Sequence, residues 1–318
     1  MFRISNVGIV TSKDAVLIAN SKEELENQIL ENYNEFDVSF INIISYRPFD
    51  KRFIYYDDKK LERARKEVME HFLNNKNNIG LVCDRGTKLQ DISNIFISDK
   101  LIDLHLVGSG SYIFPLYIYD TENVRKILRE ENEEVGGMFE DIKHFENKVR
   151  IENFTPKFRK FINEKYGEIK PEEILGYIYA ILFHKEYRKK YFDFLKIDFP
   201  KIPFVESKDY FLKFAKLGEE LYNLHLENLK IQKEVGEPMF KDNKNKNEKI
   251  VKAIYNENEK DLFVNESLYF KNVDKEVWEY KIGGYQVLDK YLKSHKNENI
   301  DYEHFENVIK ILARSIEI

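Results

Sequence analysis

Near residue 154 the spacing of apolar residues changes, and this change limits the possible folds more than any other feature. Before it, short β-branched and aromatic runs alternate with turn residues: FINIISY (Phe40 to Tyr46), RFIYY (Arg52 to Tyr56), NIGLVCD, NIFISD, LIDLHLV and YIFPLYIY. After it, apolar residues recur at helical spacing, as in PEEILGYIYAILF. Side chains alternate across a strand but return every three to four residues on a helix, so one packing plan cannot serve both parts. The expectation is an α+β chain. A mixed β-rich domain spans 1–125, a charged boundary segment 126–153, and an all-α helical domain 154–318.

Local signals support that division. Ser21 with Glu24 three residues on forms a capping box. Thr155-Pro156 and Lys170-Pro171 each open a helix with proline in its first turn, and Ser207 and Asp301 start two more. Pro48 forces a turn between FINIISY and RFIYY, giving a hairpin. Leu61, Ala64, Val68, Met69 and Phe72 predict one face of a helix, with Arg63, Arg65 and Lys66 off it. DFPKIPF, with two prolines, must run extended. No internal repeat is present.

Charge and cysteine content limit the function. The net charge of −5 argues against a chain coated in base. From Arg47 to Lys88, however, 11 Lys/Arg stand against seven Asp/Glu, so basic excess is local. A single cysteine, Cys83, excludes a disulfide framework or a cysteine-based zinc site and fits a reducing cytoplasm. No secretory leader and no apolar run long enough for a membrane span is evident, so the expectation is a cytoplasmic protein without a membrane partner.

Catalytic motifs are scarce. There is no phosphate-binding glycine loop, nucleophile elbow or HExxH. Gly108-Ser-Gly110 is not followed by a helix, and a base-flipping methyltransferase would need a cofactor pocket that does not appear. Asp141-Ile-Lys143 has the local spacing of part of a metal-dependent nuclease centre, and a stand-alone nuclease stays open as an alternative. His105, inside an apolar run, reads as a core histidine. No catalytic, cofactor-binding or metal-binding residue is assigned.

The aromatic and basic hairpin YRPFDKRFIYYD suggests another role. Arginine and lysine neutralise phosphate and read guanine edges, while tyrosine and phenylalanine pack on sugars or bases. Arg47, Lys51 and Arg52 cluster at its turn. Arg85, Thr87 and Lys88 occupy a second polar loop, Ser109 and Ser111 a third, and Lys13 a fourth. Polar loops on a β scaffold can read a DNA groove. The same hairpin can equally be half core and half surface, with Arg47 or Arg52 paired to Asp50 or Asp57. A protein-interaction scaffold without DNA binding also stays open.

GIVTSKDAVLI, YRPFDKRFIYYD, the strand block from NIGLVCD to YIFPLYIY, FTPKFRKFINEKYG, IDFPKIPF and VWEYKIGGYQVLDKYLK occur here in one order. That order resembles the C-terminal region of single-chain restriction–modification enzymes of the type ISP and type IIG kinds, over nearly the whole chain. The resemblance implies a target recognition domain at 1–125 and a helical domain completing the specificity region. It implies double-stranded DNA and a methyltransferase domain or subunit as partners. Adenine N6 methylation and cleavage would be carried out elsewhere, with S-adenosylmethionine and Mg²⁺ serving the parent system. The R-P-F-D turn matches Arg47 to Asp50, the basic loop position Arg85, the F-P-L-Y-x-Y strand Phe114 to Tyr119, and I-G-G-Y-Q-V-L Ile282 to Leu288. Gly283 and Gly284 read as backbone-conformation positions, and Tyr285 and Leu288 as packing.

Overall fold

A computed structural model describes residues 1–74, 76–86, 94–134, 150–232, 234–241 and 246–318. The α+β reading holds, with strands dominating the first part and helices the second. Among the described residues, nine short strands come first: β1 (Asn6–Val7), β2 (Ile18–Ala19), β3 (Ile41–Arg47), β4 (Asp50–Tyr55), β5 (Gly80–Asp84), β6 (Ile95–Ser98), β7 (Leu101–Ile102), β8 (Ser111–Pro115) and β9 (Tyr117–Tyr119). One antiparallel sheet has the order β1-β8-β5-β6, and a mixed sheet the order β2-β4-β3-β7, in which β3 and β7 run parallel. Backbone bonds from Ile9 to Ile102 (2.8 Å) and Leu104 to Ile9 (3.0 Å) join the two.

The predicted helix starts are present. Ser21 caps α1 (Lys22–Tyr33), accepting the Glu24 N–H at 3.1 Å, while the Glu24 carboxylate reaches back to the Asn20 N–H. Helix α2 (Glu122–Glu134) lies at the boundary. Thr155 caps α3 (Pro156–Tyr166), and Glu173 closes the start of α4 (Pro171–Phe183) on the Lys170 N–H at 2.8 Å. Ser207 caps α5 (Lys208–His225). After α6 (Val287–Ser294), Asp301 caps α7 (Tyr302–Glu317). The helix expected over Leu61–Phe72 shrinks to Lys66–Met69 and one 3₁₀ turn. Its first half is lost because Arg63 pairs backbone to backbone with Val10 and Arg65 sits at φ 55°.

The second part also holds strands that its helical spacing did not announce. After β10 (Arg150–Glu152), which pairs with β9, a four-stranded antiparallel sheet forms from β11 (Pro238–Phe240), β12 (Ile254–Asn256), β13 (Asp261–Phe263) and β14 (Leu268–Phe270). Each strand has three residues, too few for alternation to stand out. The hairpin β15 (Lys281–Ile282) and β16 (Tyr285–Gln286) follows.

Two apolar cores share the β1-β8-β5-β6 sheet as a wall, and period-two alternation assigns each residue to one side. Leu81, Cys83, Ile95 and Ile97 face the layer of α3, α4 and α5. Val82, Phe96 and Ile113 face a second core, built with Ile44 and Ile54 of the mixed sheet, Leu25 and Ile29 of α1, and Leu288, Phe305 and Ile309 of the C-terminal helices. Helices α4 and α5 meet through glycine, where a Cβ on Gly218 would lie 1.8 Å from the Gly176 carbonyl oxygen. Buried His225 ties the layers together. Its Nδ1 lies 2.6 Å from the Tyr179 hydroxyl and its Nε2 3.0 Å from Ser315, and burial lowers its pKa to about 3, so it is neutral.

Candidate nucleic-acid interface

The hairpin turn is the first candidate. Pro48 and Phe49 link β3 to β4, with Phe49 at φ 60°. Phe49 is buried and packs edge-on against Phe96 and His225. Asp50, 2% exposed, accepts two hydrogen bonds from Arg52 (3.1 and 2.9 Å) and lies 3.2 Å from His295 at the end of α6. Burial alone would raise the Asp50 pKa, but His295 and Arg52 outweigh it and hold it below the usual carboxylate range. Arg47, 11% exposed, pairs with Asp103 at 2.6 Å. Both guanidiniums cover the Tyr46 ring, at 4.0 and 4.4 Å. Lys51 pairs with Glu227, whose other oxygen lies 3.2 Å from His304 of α7, and His304 also meets the Phe49 carbonyl at 2.8 Å.

This burial corrects the sequence reading of Arg47 and Arg52 as DNA-facing. Pulling Arg47 or Arg52 away to reach phosphate would strand a buried carboxylate, at a cost of about 3–5 kcal/mol. Lys51 is exposed, with its ammonium paired to Glu227. The aromatic and basic stretch therefore touches the C-terminal helices of its own chain.

A second set of residues gathers at one end of both sheets. Tyr46 donates to Asp14 at 2.9 Å, which brings the loop bearing Lys13 beside the hairpin. Asp103, at the end of β7, accepts the His105 N–H at 2.8 Å and opens the turn that leads to Ser109. Gly108 passes so close to β5 that a Cβ there would lie 2.0 Å from the Asp84 carboxylate. Burial raises the Asp84 pKa to about 6, and hydrogen bonds from the Ser111 hydroxyl and the Ser109 N–H partly offset it. Next along the chain is Arg85, paired with Asp198 at 2.8 Å with both side chains more than half exposed.

The rim thus carries Lys13, His105, Ser109 and Arg85, all exposed except at their anchors. Lys13 has one long hydroxyl contact, 3.4 Å to Tyr33. Ser111 does not belong to it. This serine is fully buried and its hydroxyl accepts the Val107 N–H at 2.9 Å, so it staples the loop instead of facing outward. His105 is a correction in the other direction: expected in the core, it is exposed in a turn, its Nδ1 3.2 Å from the Gly108 carbonyl. Thr87 and Lys88 lie outside the described residues, as do Asp141 and Lys143. Among the described residues no cluster of three His, Cys, Asp or Glu could hold a metal ion.

The C-terminal hairpin braces the rim from behind. Gly283 sits at φ 59°, where a Cβ would come within 1.5 Å of the Val107 carbonyl oxygen, so only glycine fits. Tyr285 donates to the His105 carbonyl at 2.8 Å, and Leu288 is fully buried. On the helical side, the extended connector after Asp198 is held by tyrosine hydroxyls: Tyr177 on Pro203 (2.7 Å) and Tyr187 on Lys201 (2.9 Å). Phe199 packs edge-on against Tyr112 and Phe114 of β8, which fixes Asp198 beside Arg85.

Residues 30–316 match the family described as the Type ISP C-terminal specificity domain. Solved structures with the same fold include the ATP-dependent type ISP restriction–modification enzyme LlaBIII bound to DNA, at 21% identity and a TM-score of 0.73. A nuclease-deletion mutant of the type ISP enzyme LlaGI with a DNA substrate mimic matches at 20% and 0.71, and a DrdV–DNA complex at 20% and 0.73. The matches cover 100%, 100% and 99% of this chain but only 23%, 32% and 35% of those chains. No curated protein matches.

Proposed function

The chain belongs to the type ISP C-terminal specificity domain family, and from that premise we propose that its rim reads the base sequence of duplex DNA for a restriction–modification enzyme. The observation that carries this reading is the convergence of the Lys13, Asp103–Ser111 and Asp84–Arg85 loops on one edge of the scaffold. Strand ends fix the loops, while their outward side chains lie exposed where a groove can meet them.

Each rim residue suits a different contact. Arg85 has the planar fork that pairs with guanine O6 and N7 in the major groove. Its present partner is an exposed carboxylate, and an exposed pair is worth little, so DNA can replace Asp198 at small cost. Lys13 is suited to a phosphate. His105 and Ser109 can donate or accept at a base edge or through water.

We further propose that the parent enzyme is an adenine N6 methyltransferase of the type ISP or type IIG kind, with this chain docked against its methyltransferase part. S-adenosylmethionine and Mg²⁺ would serve the parent's catalytic domains, and no residue of this chain is assigned to either. No helix among the described residues is long and apolar enough to cross a membrane.

The test is selection of bound duplexes from a randomised pool, followed by salt titration on the selected and on unrelated DNA. The expected result is an enriched asymmetric motif. Lys13→Ala should weaken both DNAs alike and reduce the salt slope by about one. Absence of salt-sensitive DNA binding would favour a protein-interaction scaffold instead.

A further inference from the structure

The segment from Lys185 to Lys201 holds six cations against three carboxylates, in a chain whose net charge is negative. Helices Lys185–Lys190 and Phe192–Leu195 run on almost continuously, with Tyr191 bonded to the Tyr187 carbonyl and Leu195 to that of Tyr191, both at 3.0 Å. Tyr187 and Leu195 point inward and are buried. Phe194 and Ile197 point the other way. At 71% and 76% exposed, they are the two most exposed large apolar side chains among the described residues.

Lysines flank them in the sequence. Lys189, Lys190, Lys196 and Lys201 are exposed and make no ion pair among the described residues. Lys190 and Lys196 lie over the rings of Tyr191 and Phe192, at 5.4 and 3.7 Å. The three carboxylates in the segment are all exposed, and Asp198 pairs with Arg85 and also feels the Lys201 charge. The segment also adjoins the rim, since a Cβ on Gly86 would lie 2.6 Å from the Lys196 carbonyl oxygen and 3.1 Å from Ile197.

We propose that this face is a second DNA-gripping surface, resting on the DNA reading above, in which Lys189, Lys190, Lys196 and Lys201 neutralise phosphates while Phe194 and Ile197 press into the adjoining groove. Exposed apolar side chains flanked by exposed lysine suit a polyanion with apolar sugars and thymine methyl groups. Lysine is depleted in protein–protein interfaces, which favours DNA over a protein partner as the occupant. Apolar side chains set against base steps are an established device of DNA-bending proteins, and they work beside cations that hold the backbone.

The test uses the whole chain and a labelled duplex carrying its selected site, with salt titration. K189Q/K190Q/K196Q should lower affinity for every sequence and shrink the salt slope by roughly two to three, near 0.9 per phosphate lost. F194S/I197S should lower affinity about tenfold at an unchanged salt slope, because apolar burial releases no counterions. Both variants alter exposed side chains, and an unchanged urea midpoint checks folding. If the wild-type chain selects a site and both variants match it in affinity and slope, this proposal falls and the DNA reading stands. If the variants instead lose only a methyltransferase partner, the face is a protein dock and the proposal is wrong. A wild-type chain that binds no DNA overturns both.

Discussion

The turn between β3 and β4 and the turn leaving β5 each set arginine beside a carboxylate. In the first, Asp50 and Asp103 are nearly inaccessible, and Arg52 and Arg47 are drawn in with them. In the second, Asp198 and Arg85 both stand in solvent. Removing the arginine would leave a bare charge in low dielectric in one case and a hydrated one in the other. The partner's burial, more than the arginine itself, therefore decides whether a basic turn is scaffold or reader. On this ground the hairpin is a clamp between the sheets and the C-terminal helices, and the β5 turn is the edge proposed to meet DNA.

The contrast can be broken most directly at Asp50. Asp50→Ala strands Arg52 and His295 together and should cost about 3–5 kcal/mol, read as a lower urea midpoint. A loss no larger than a surface mutation gives would mean the clamp does not hold.

A smaller effect is expected from pH. Burial lowers the His295 and His304 pKa values, but Asp50 and Glu227 more than compensate and raise both above the ordinary value. Burial raises Glu227, yet His304 and Lys51 bring it down to about 2. The histidine contribution is complete below the unfolded value of about 6.5 and is lost as pH rises through the raised folded values. The carboxylate contribution is complete above about 4.3 and is lost as pH falls toward the depressed values. Stability should thus plateau between these limits and decline on the alkaline side, and His295→Gln with His304→Gln should flatten that decline.

Arg85→Ala should change stability least. Its urea midpoint should match the wild type, while affinity for the selected site drops about tenfold and affinity for unrelated DNA changes little. Equal losses on both DNAs would reduce Arg85 to a phosphate contact.

Sequence pattern revealed elements better than it revealed directions. Caps at Ser21, Thr155, Ser207 and Asp301 were legible because each is settled within three residues. The hairpin was legible for the same reason. The fate of its arginines was not, since His295 is 245 residues from Asp50 and Asp103 is 56 from Arg47. His105 was misplaced because an apolar run conceals the turn that Asp103 opens. The Phe194 and Ile197 face could have been found: both fall off the Tyr187, Tyr191, Leu195 stripe, among the lysines.

The shared wall has a consequence for anyone dividing this chain. Leu81, Ile95, Ile97 and Leu116 are covered by helices that begin only at Pro156. A fragment ending in the boundary segment would present those side chains to water as one sticky plane. Such a piece should precipitate or pair with copies of itself, so a β-rich half made alone would need that plane repainted with polar residues.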